Sequence, residues 1–294
     1  MKAKNFIVAD APLSTVQVTR WREDVLTQAQ DKVAEETPIA LIYNGVSHAV
    51  MLATPQDLED FALGFSLSEG ILQNKSELYD IEIVVQTNGI ELRLEVASEA
   101  FAKLKERRRN LTGRTGCGLC GAESLEQALR LPNREKNIRE KKDALEANSH
   151  EPSSASLQSV SAASIQNAFK TLQAQQVLQQ ATGATHACAW VNVDGEIMLL
   201  REDVGRHNAM DKLIGALAKQ EAKLDLKQAG FVLTSSRASV EMVQKVALAG
   251  YNILAAISAP TGLAVRIADA YNVTLVGFLR QQQFVIYTHA ARIK

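Results

Sequence analysis

The chain contains 294 residues, of which 46% are hydrophobic and 22% are charged, and its formal net charge is −1. These values predict a globular protein with one large or two modest domains, and they exclude the strongly basic surface typical of duplex nucleic-acid binding. The uncharged stretch 246–265 is as long as a membrane span. Its glycine, proline and polar residues favour a helix end, a strand and a turn instead, so we predict no membrane association.

The N-terminal third is predicted to be an α+β unit. Residues 38–53 alternate apolar and polar side chains around an Asn-Gly pair, and residues 81–96 do the same, so each stretch predicts a β-hairpin. Between them, residues 55–72 carry apolar side chains at helical spacing, with Thr54 as the predicted N-cap.

Cys117 and Cys120 form the most informative feature of the chain. They follow a cluster of arginines and precede a predicted helix at 123–131, and the glycines around them let the backbone turn tightly. A thiol near cations and a helix N-terminus has a lowered pKa, so more of it is the nucleophilic thiolate. The pair therefore indicates reactive sulfur.

Two structural interpretations of this pair stay open. A zinc ion would need further cysteine or histidine ligands, and His186 with Cys188 could contribute. A disulfide is less favoured, because the chain has three cysteines and begins with a short charged stretch rather than a secretory leader. We therefore expect a reducing compartment, the cytoplasm.

The chain is predicted to have three parts. Residues 1–131 form the α+β subdomain that carries the cysteine pair. Residues 132–161 are rich in charged and small polar residues and are predicted to be a flexible linker or lid. Residues 162–294 form an α/β domain that is predicted to bind the ligand.

This last part alternates strands and helices. Helices are predicted at 165–180, 207–219, 238–249 and 263–270, and strands at 187–193, 196–201, 231–234, 253–257, 274–278 and 284–288. The near-continuous apolar strands predict a mostly parallel sheet that is covered on both faces. The fold class is therefore α/β, with an α+β N-terminal part.

Three loops are expected at the carboxyl edge of this sheet, where open α/β sheets bind ligands. They are 202–207, 234–237 and 258–262, and their hydroxyls, backbone N–H groups and arginines suit phosphate oxygens. Serine and threonine are also routine helix caps, so each loop alone has a simpler explanation. The chain lacks a Walker loop and a G-x-G-x-x-G fingerprint.

Asp203, His207 and Asp211 offer a further set of acid–base or metal-binding groups. His207 and Asp211 are four residues apart and would share a helix face. A local hydrogen bond or a cap is the commoner use of such residues, and both interpretations stay open.

Several motifs resemble those of the formate dehydrogenase accessory sulfurtransferase family (FdhD/NarQ). They are REDVGRHNAMDK at 201–212, FALGF at 61–65, SEGI at 68–71, CGLCG at 117–121, TSSR at 234–237, SAPT at 258–261 and YTH at 287–289. The resemblance runs from about residue 35 to the C-terminus, apart from residues 132–161.

The resemblance implies a sulfurtransferase. Such a protein takes persulfide sulfur from a cysteine desulfurase and passes it to the molybdenum bis-guanine-dinucleotide cofactor of formate dehydrogenase. By position, Cys117 would carry the sulfur and Cys120 would assist. The cofactor would be a bound substrate, and we expect no permanently bound metal. The resemblance also implies a three-layer fold related to the cytidine deaminases, a cytoplasmic homodimer, and the formate dehydrogenase catalytic subunit as partner.

The cofactor-binding stretch of the family maps onto residues 278–283, in which Arg280 is the only cation. Together with the anion-binding loops, the predicted cofactor-binding set is Phe278, Leu279, Arg280, Gln281, Gln282, Gln283, Ser235, Ser236, Arg237, Ser258, Thr261, Arg206 and His207. The alternatives are a zinc-dependent hydrolase of the deaminase type and a chaperone that only holds the cofactor. The hydrolase would need an H-x-E element before its cysteines, and His186-Ala187-Cys188 lacks the glutamate.

Overall fold

The computed structural model describes residues 10–109, 159–220 and 230–294. The chain begins with a long antiparallel hairpin of β1 (Leu13–Arg22) and β2 (Val25–Ala34). This hairpin had no predicted counterpart. Its turn residues, Glu23 and Asp24, hold positive φ angles of 50° and 63° without a glycine, so the usual Asn-Gly signal is missing.

A four-stranded sheet follows, in the order β4-β3-β6-β5. Its strands are β3 (Thr37–Tyr43), β4 (Val46–Ala53), β5 (Leu78–Gln86) and β6 (Gly89–Val96). Both predicted hairpins are confirmed, because β3 pairs antiparallel with β4 and β5 with β6. Alternate residues of β3 and β6 form a core cluster with α1 (Leu58–Ser68) and with α2 (Ser98–Arg109), which was not predicted.

The predicted N-cap at Thr54 is wrong. Helix α1 begins at Leu58, and its N-cap residue is Asp57. Thr54 is fully buried; its hydroxyl accepts a hydrogen bond from the N–H of Val204 (3.1 Å), and its carbonyl accepts one from Lys212 Nζ (2.9 Å). Contacts with the C-terminal half therefore outweigh the local preference of threonine for a helix cap.

The C-terminal part contains a six-stranded sheet in the order β12-β11-β10-β9-β7-β8. Its strands are β7 (His186–Asn192), β8 (Ile197–Asp203), β9 (Gly230–Thr234), β10 (Ile253–Ala256), β11 (Thr274–Arg280) and β12 (Gln283–Ile286). Only β9, β10 and β11 run parallel to one another; the other pairs are antiparallel. The predicted mostly parallel sheet is therefore wrong, because a continuous apolar run reports burial on both faces and not strand direction.

Helices cover both faces of this sheet, which confirms the predicted three-layer α/β organisation. One face packs against α3 (Ala162–Gln175). The other packs against α5 (Arg206–Gln220), α6 (Val240–Leu248) and α7 (Gly262–Ala270). The single helix predicted at 165–180 is broken at Gln176, and a short helix, α4 (Val177–Thr182), follows.

Helices α1 and α5 join the two sheets by a very close approach of their backbones. A Cβ atom added at Gly64 would lie 1.7 Å from the carbonyl oxygen of Asp211. One added at Gly215 would lie 1.9 Å from the carbonyl oxygen of Asp60. Only glycine permits such a crossing at either position.

The predicted division into three parts stays a prediction. Most of the predicted linker lies outside the described residues, but its last residues are held in place: Val160 is buried and forms a parallel bridge with Ile293, and Ser161 caps α3. Across the described ranges, no helix is long and apolar enough to cross a membrane. The stretch 246–265 is divided among a helix end, β10 and the start of α7, as predicted.

Candidate functional site

The predicted catalytic residues, Cys117 and Cys120, lie outside the described residues, as does the predicted helix at 123–131. Cys188 is described; it is fully buried in β7, and burial raises the pKa of its thiol to about 12. Cys188 is therefore a packed hydrophobic residue rather than a nucleophile.

A cleft of about 750 Å³ lies where the parallel strands end. One wall comes from α3, α4 and the loop after them, with Phe169, Lys170, Gln173, Gln176 and Gln179. The other comes from strand ends, with His186, Ser235, Ile257 and Gln281. Among the described residues, its lining contains Lys170, His186 and several amides but no acidic side chain, so the cleft suits an anionic ligand that has hydrogen-bonding edges. Of the predicted cofactor-binding residues, Ser235 and Gln281 line it.

The loop 234–237 ties β9 to β7. The hydroxyl of Ser235 accepts a hydrogen bond from the N–H of Ala187 (2.9 Å). Ser236 is buried, and its hydroxyl donates to the carbonyl of Arg237 (3.0 Å). The side chain of Arg237 itself is exposed. The loop therefore presents Ser235 and Arg237 outward, whereas Ser236 serves the loop's own conformation.

The loop 258–262 has a capping role. The hydroxyl of Thr261 accepts a hydrogen bond from the N–H of Ala264 (3.2 Å), so Thr261 is the N-cap of α7. Ser258 is half-buried, and its backbone connects two neighbouring segments: its N–H donates to Ser236 and its carbonyl accepts from Phe278. Thr261 is therefore a helix cap, which is the simpler of the two explanations given for this loop.

Basic side chains gather beside the cleft at the start of α5. Burial lowers the pKa of His186, and the charges of Arg206, Arg237 and His207 lower it further. Arg206 Nε is buried, and it has no hydrogen-bond partner within the described part of the chain. A guanidinium N–H left in this way would be satisfied by an anion bound at the cluster.

His207 is also paired with an acid. Its Nε2 lies 3.3 Å from Glu241 Oε2, and Ser239 Oγ donates to the same carboxylate (2.7 Å). The hydrogen bond from His207, followed by that from Ser239, lowers the pKa of Glu241 to about 2 although burial opposes this. His207 is therefore held by α6, at the edge of the basic cluster.

Four other charged residues of the motif at 201–212 face the interior and contact the N-terminal half: Arg201 contacts Asp60, Asp203 and Lys212 contact the backbone of Thr54, and Asp211 contacts Ser68. Asp203 Oδ2 lies 2.7 Å from Lys212 Nζ, and both side chains are fully buried. Arg201 pairs with Asp60 of α1 (2.7 Å). Asp211 pairs with Lys245 (2.8 Å), and the pKa of its carboxyl is raised by burial.

The shared helix face had suggested that Asp211 acts together with His207. The structure shows that it does not, because Asp211 pairs with Lys245 instead. Its carboxylate also accepts a hydrogen bond from Ser68 Oγ (2.6 Å), which again belongs to α1. Among the described residues, no group of three or more His, Cys, Asp or Glu side chains could hold a metal ion.

Glu202 was not predicted to have a role at the site. Its buried carboxylate accepts hydrogen bonds from the N–H groups of Leu178 (2.9 Å) and Gln179 (2.8 Å) and from Thr185 Oγ1 (3.0 Å). It thereby caps α4 and explains why the helix predicted at 165–180 is interrupted. Because Gln179 and Thr185 line the cleft, Glu202 positions one of its walls.

The predicted cofactor-binding stretch, residues 278–283, spans the end of β11, a two-residue turn and the first residue of β12. Arg280 is exposed, and its Nη1 donates to the carbonyls of Ile257 and Leu279. The N–H of Gln282 donates to Gln166 Oε1 of α3 (3.0 Å). Leu279 is fully buried in the core, whereas Phe278, Gln281, Gln282 and Gln283 are exposed. The turn therefore closes one end of the cleft.

Comparison with known proteins supplies the context. The sequence model of the FdhD/NarQ family matches residues 34–294. A sulfur carrier protein FdhD from Cupriavidus necator is 54% identical over 281 residues, which cover 96% of this chain and 90% of that protein. The protein of the same name from Bordetella petrii is 50% identical, over 90% of this chain and 87% of that protein.

A solved structure supports the fold. The crystal structure of a candidate formate dehydrogenase accessory protein from Desulfotalea psychrophila superposes with a TM-score of 0.66 at 21% identity. The superposition covers 96% of this chain and 99% of that one.

Proposed function

The chain belongs to the FdhD/NarQ family, and we propose that it carries sulfur for the maturation of formate dehydrogenase. It accepts persulfide sulfur from a cysteine desulfurase and transfers that sulfur to the molybdenum bis-guanine-dinucleotide cofactor. The observation that carries this proposal is the family match itself, because it runs through both the cysteine pair and the cleft. Relatives that align with nine-tenths or more of this chain are named sulfur carrier proteins.

Cys117 is the proposed sulfur carrier. Its thiolate attacks the terminal sulfur of the desulfurase persulfide, the S–S bond of the donor breaks, and the donor cysteine leaves as a thiolate. Cys117 then holds the additional sulfur as a persulfide. In the second step the thiolate of Cys120 attacks the inner sulfur of this persulfide, so that a Cys117–Cys120 disulfide forms and the outer sulfur leaves as sulfide for the cofactor. A cellular thiol reductant then returns both cysteines to their starting form.

The cleft and the basic cluster are the proposed binding site of the cofactor. A guanine dinucleotide brings phosphates and a base with several donors and acceptors. Arg206 and Arg237 suit the phosphates, and the amides of Gln173 and Gln176 suit the base. A cleft of this volume suits one nucleotide arm and leaves the remainder of the cofactor outside.

The proposed assembly is a cytoplasmic homodimer that works with a desulfurase and with the catalytic subunit of formate dehydrogenase. The β1–β2 hairpin supports an interface between copies. It exposes Trp21 (65%) and Leu26 (68%), and an isolated two-stranded hairpin is marginally stable in water. A second copy that packs on this hairpin would bury both side chains.

Sulfur loading tests the proposal directly. The protein is incubated with cysteine and a desulfurase, and intact-protein and peptide mass spectrometry locate the added mass of one sulfur atom. We expect it on Cys117. Cys117→Ala should carry no sulfur and should not restore formate dehydrogenase activity in cells that lack the endogenous protein. Cys188→Ala, which changes the buried thiol, is the control and should load normally.

The proposal fails if Cys117→Ala carries as much sulfur as the wild type and restores formate dehydrogenase equally well.

A further inference from the structure

His186 is a titratable residue of the cleft wall that sulfur transfer does not use. It is the first residue of β7, and it lines the cleft beside Thr185 and Ser235. The N–H of the next residue, Ala187, donates to Ser235 Oγ (2.9 Å), and the N–H of Ser235 donates to the carbonyl of Ala187 (3.0 Å). The loop after β9 therefore fixes the backbone that carries this imidazole.

The imidazole of His186 differs from those of two other histidines. His207 lies 3.3 Å from a carboxylate oxygen of Glu241, and His289 lies 3.5 Å from a carboxylate oxygen of Asp269. The half-buried ring of His186 has no hydrogen bond or ion pair within the described ranges. Its ring nitrogens are therefore available to a ligand in the cleft.

The charges around His186 disfavour its protonated form. Burial lowers the pKa of the ring, and the nearby charges of Arg206, Arg237 and His207 lower it further. On the opposite wall of the cleft, Lys170 of α3 adds another cation. His186 is accordingly held as a neutral imidazole at neutral pH.

The acidic groups on the elements packed against His186 are already engaged. Asp203 is its cross-strand neighbour on β8, and the carboxylate of Asp203 is buried against Lys212 (2.7 Å). Glu202 uses its carboxylate to cap α4 and to accept from a hydroxyl of the following loop. Across the described part of these elements, no carboxylate is left to pair with a protonated His186.

An anion bound in the cleft would reverse this balance. Arg206 Nε is buried without a hydrogen-bond partner in the described part of the chain, so the cluster can accept negative charge. A negative group beside His186 favours the imidazolium, which offers two N–H donors instead of one. The anion and the proton then bind cooperatively, because each makes the binding of the other more favourable.

We propose that His186 binds the anionic part of the ligand as an imidazolium, so that filling the cleft is coupled to the uptake of one proton from solvent. This inference rests on the proposed function, in which the guanine dinucleotide brings phosphates to this cleft. The protein gains the extra positive charge only together with the ligand, so this charge does not repel the other cations beforehand. Affinity for the anion rises as the pH falls through the pKa of His186 in the complex, and it levels off below the pKa in the free protein.

Nuclear magnetic resonance of the imidazole groups tests the coupling directly. Protein with 15N-labelled histidines is titrated from about pH 8 to about pH 5, with and without saturating inorganic pyrophosphate. The His186 signal is assigned by its loss in His186→Gln, or in His186→Asn if the first variant does not fold. At neutral pH we expect a neutral ring in the free protein and an imidazolium in the complex.

Pyrophosphate affinities, measured by calorimetric titration, give a second readout. The ratio of the wild-type affinity to that of His186→Gln is independent of the titration of pyrophosphate itself, which is common to both proteins. This ratio should increase about ten-fold from about pH 8 to about pH 6, because one pKa unit of coupling corresponds to a ten-fold change in affinity. The matched control is His289→Gln, which changes a histidine outside the cleft lining, and its ratio should not vary with pH.

The two measurements separate this inference from the proposed function. The inference is overturned if His186 stays neutral in the complex, or if the affinity ratio for His186→Gln is the same at both pH values. Pyrophosphate binding without protonation of His186 would leave the proposed cofactor site intact. If the wild type does not bind pyrophosphate, this inference and the proposed cofactor site both fail, whereas sulfur loading of Cys117 is measured separately.

Discussion

Replacing Lys212 with methionine removes one partner of a fully buried ion pair while it keeps the length of the side chain. Asp203 would then lose its contact at 2.7 Å and retain neutral donors: the N–H groups of Thr54 and Gly205 and the amide of Asn208. Breaking a buried pair on one side typically costs about 3–5 kcal/mol. Because these donors still stabilise the carboxylate, we expect about 3 kcal/mol for Lys212→Met.

The converse change, Asp203→Asn, should be at least as costly. It would leave Lys212 buried, with the carbonyls of Thr54 (2.9 Å) and Glu202 (3.5 Å) as its acceptors. The double variant removes both charges, so its loss of stability should be smaller than the sum of the single losses by about 2 kcal/mol. Urea unfolding curves of the four proteins measure these differences.

Additive losses, or a loss below about 1 kcal/mol for Lys212→Met, would refute the view that Asp203 and Lys212 form a coupled buried pair. Arg93→Ala supplies the comparison with an exposed pair, since Arg93 contacts Glu82 and Glu91 at the surface. It should leave the free energy of unfolding close to that of the wild type.

Two further predictions follow from the helix crossing and from the acid beside His207. Gly64→Ala would place a methyl group 1.7 Å from a backbone oxygen of α5. Overpacking usually costs about 1–3 kcal/mol, and we expect the free energy of unfolding to fall by about 3 kcal/mol, measured by thermal unfolding. Gly262→Ala, whose nearest atom would be 3.7 Å away, should leave the unfolding midpoint near that of the wild type. Glu241 has its pKa lowered from 4.5 to about 2, so its charge stabilises the fold fully above about pH 4.5 and loses this effect as the pH falls towards 2. The difference in free energy of unfolding between the wild type and Glu241→Gln should therefore become smaller as the pH falls from about 4.5 to about 2. A difference that stays constant would contradict the lowered pKa of Glu241.

The sequence predicts the local features of the fold well. The hairpins at 38–53 and 81–96 were found because an Asn-Gly turn sets both the geometry and the register of its strands. The β1–β2 hairpin was not predicted, because its turn residues, Glu23 and Asp24, have positive φ angles but are not an Asn-Gly pair. Turn chemistry is local, so it is visible in the sequence only when the usual residues are present.

Features that depend on distant contacts were predicted less well. Thr54 has the composition of a helix cap, but its hydroxyl is used by Val204, far along the chain. The helix at 165–180 carries a continuous apolar pattern, and only the carboxylate of Glu202 shows why it breaks. Strand direction in the six-stranded sheet is likewise set by connections and not by composition.

In the candidate site, too, local features were predicted better than features that depend on distant contacts. Ser235 and Gln281 were predicted and line the cleft, and Arg206 lies in the basic cluster. Lys170 and Gln173 were not predicted, because the orientation of α3 relative to the strand ends is a tertiary property. Phe278 was predicted as part of a binding stretch, but its left-handed backbone could not be read from the residue type.

The inward-facing charges of the motif at 201–212 have a consequence for how such chains are recognised. Arg201, Asp203, Asp211 and Lys212 contact the N-terminal half of the chain, whereas Arg206 and His207 lie in the basic cluster beside the cleft. A protein that lacks both Cys117 and Cys120 would therefore keep the whole motif at 201–212 and fold correctly. The motif at 201–212 therefore identifies the fold, and sulfur transfer is better diagnosed by the presence of Cys117 and Cys120.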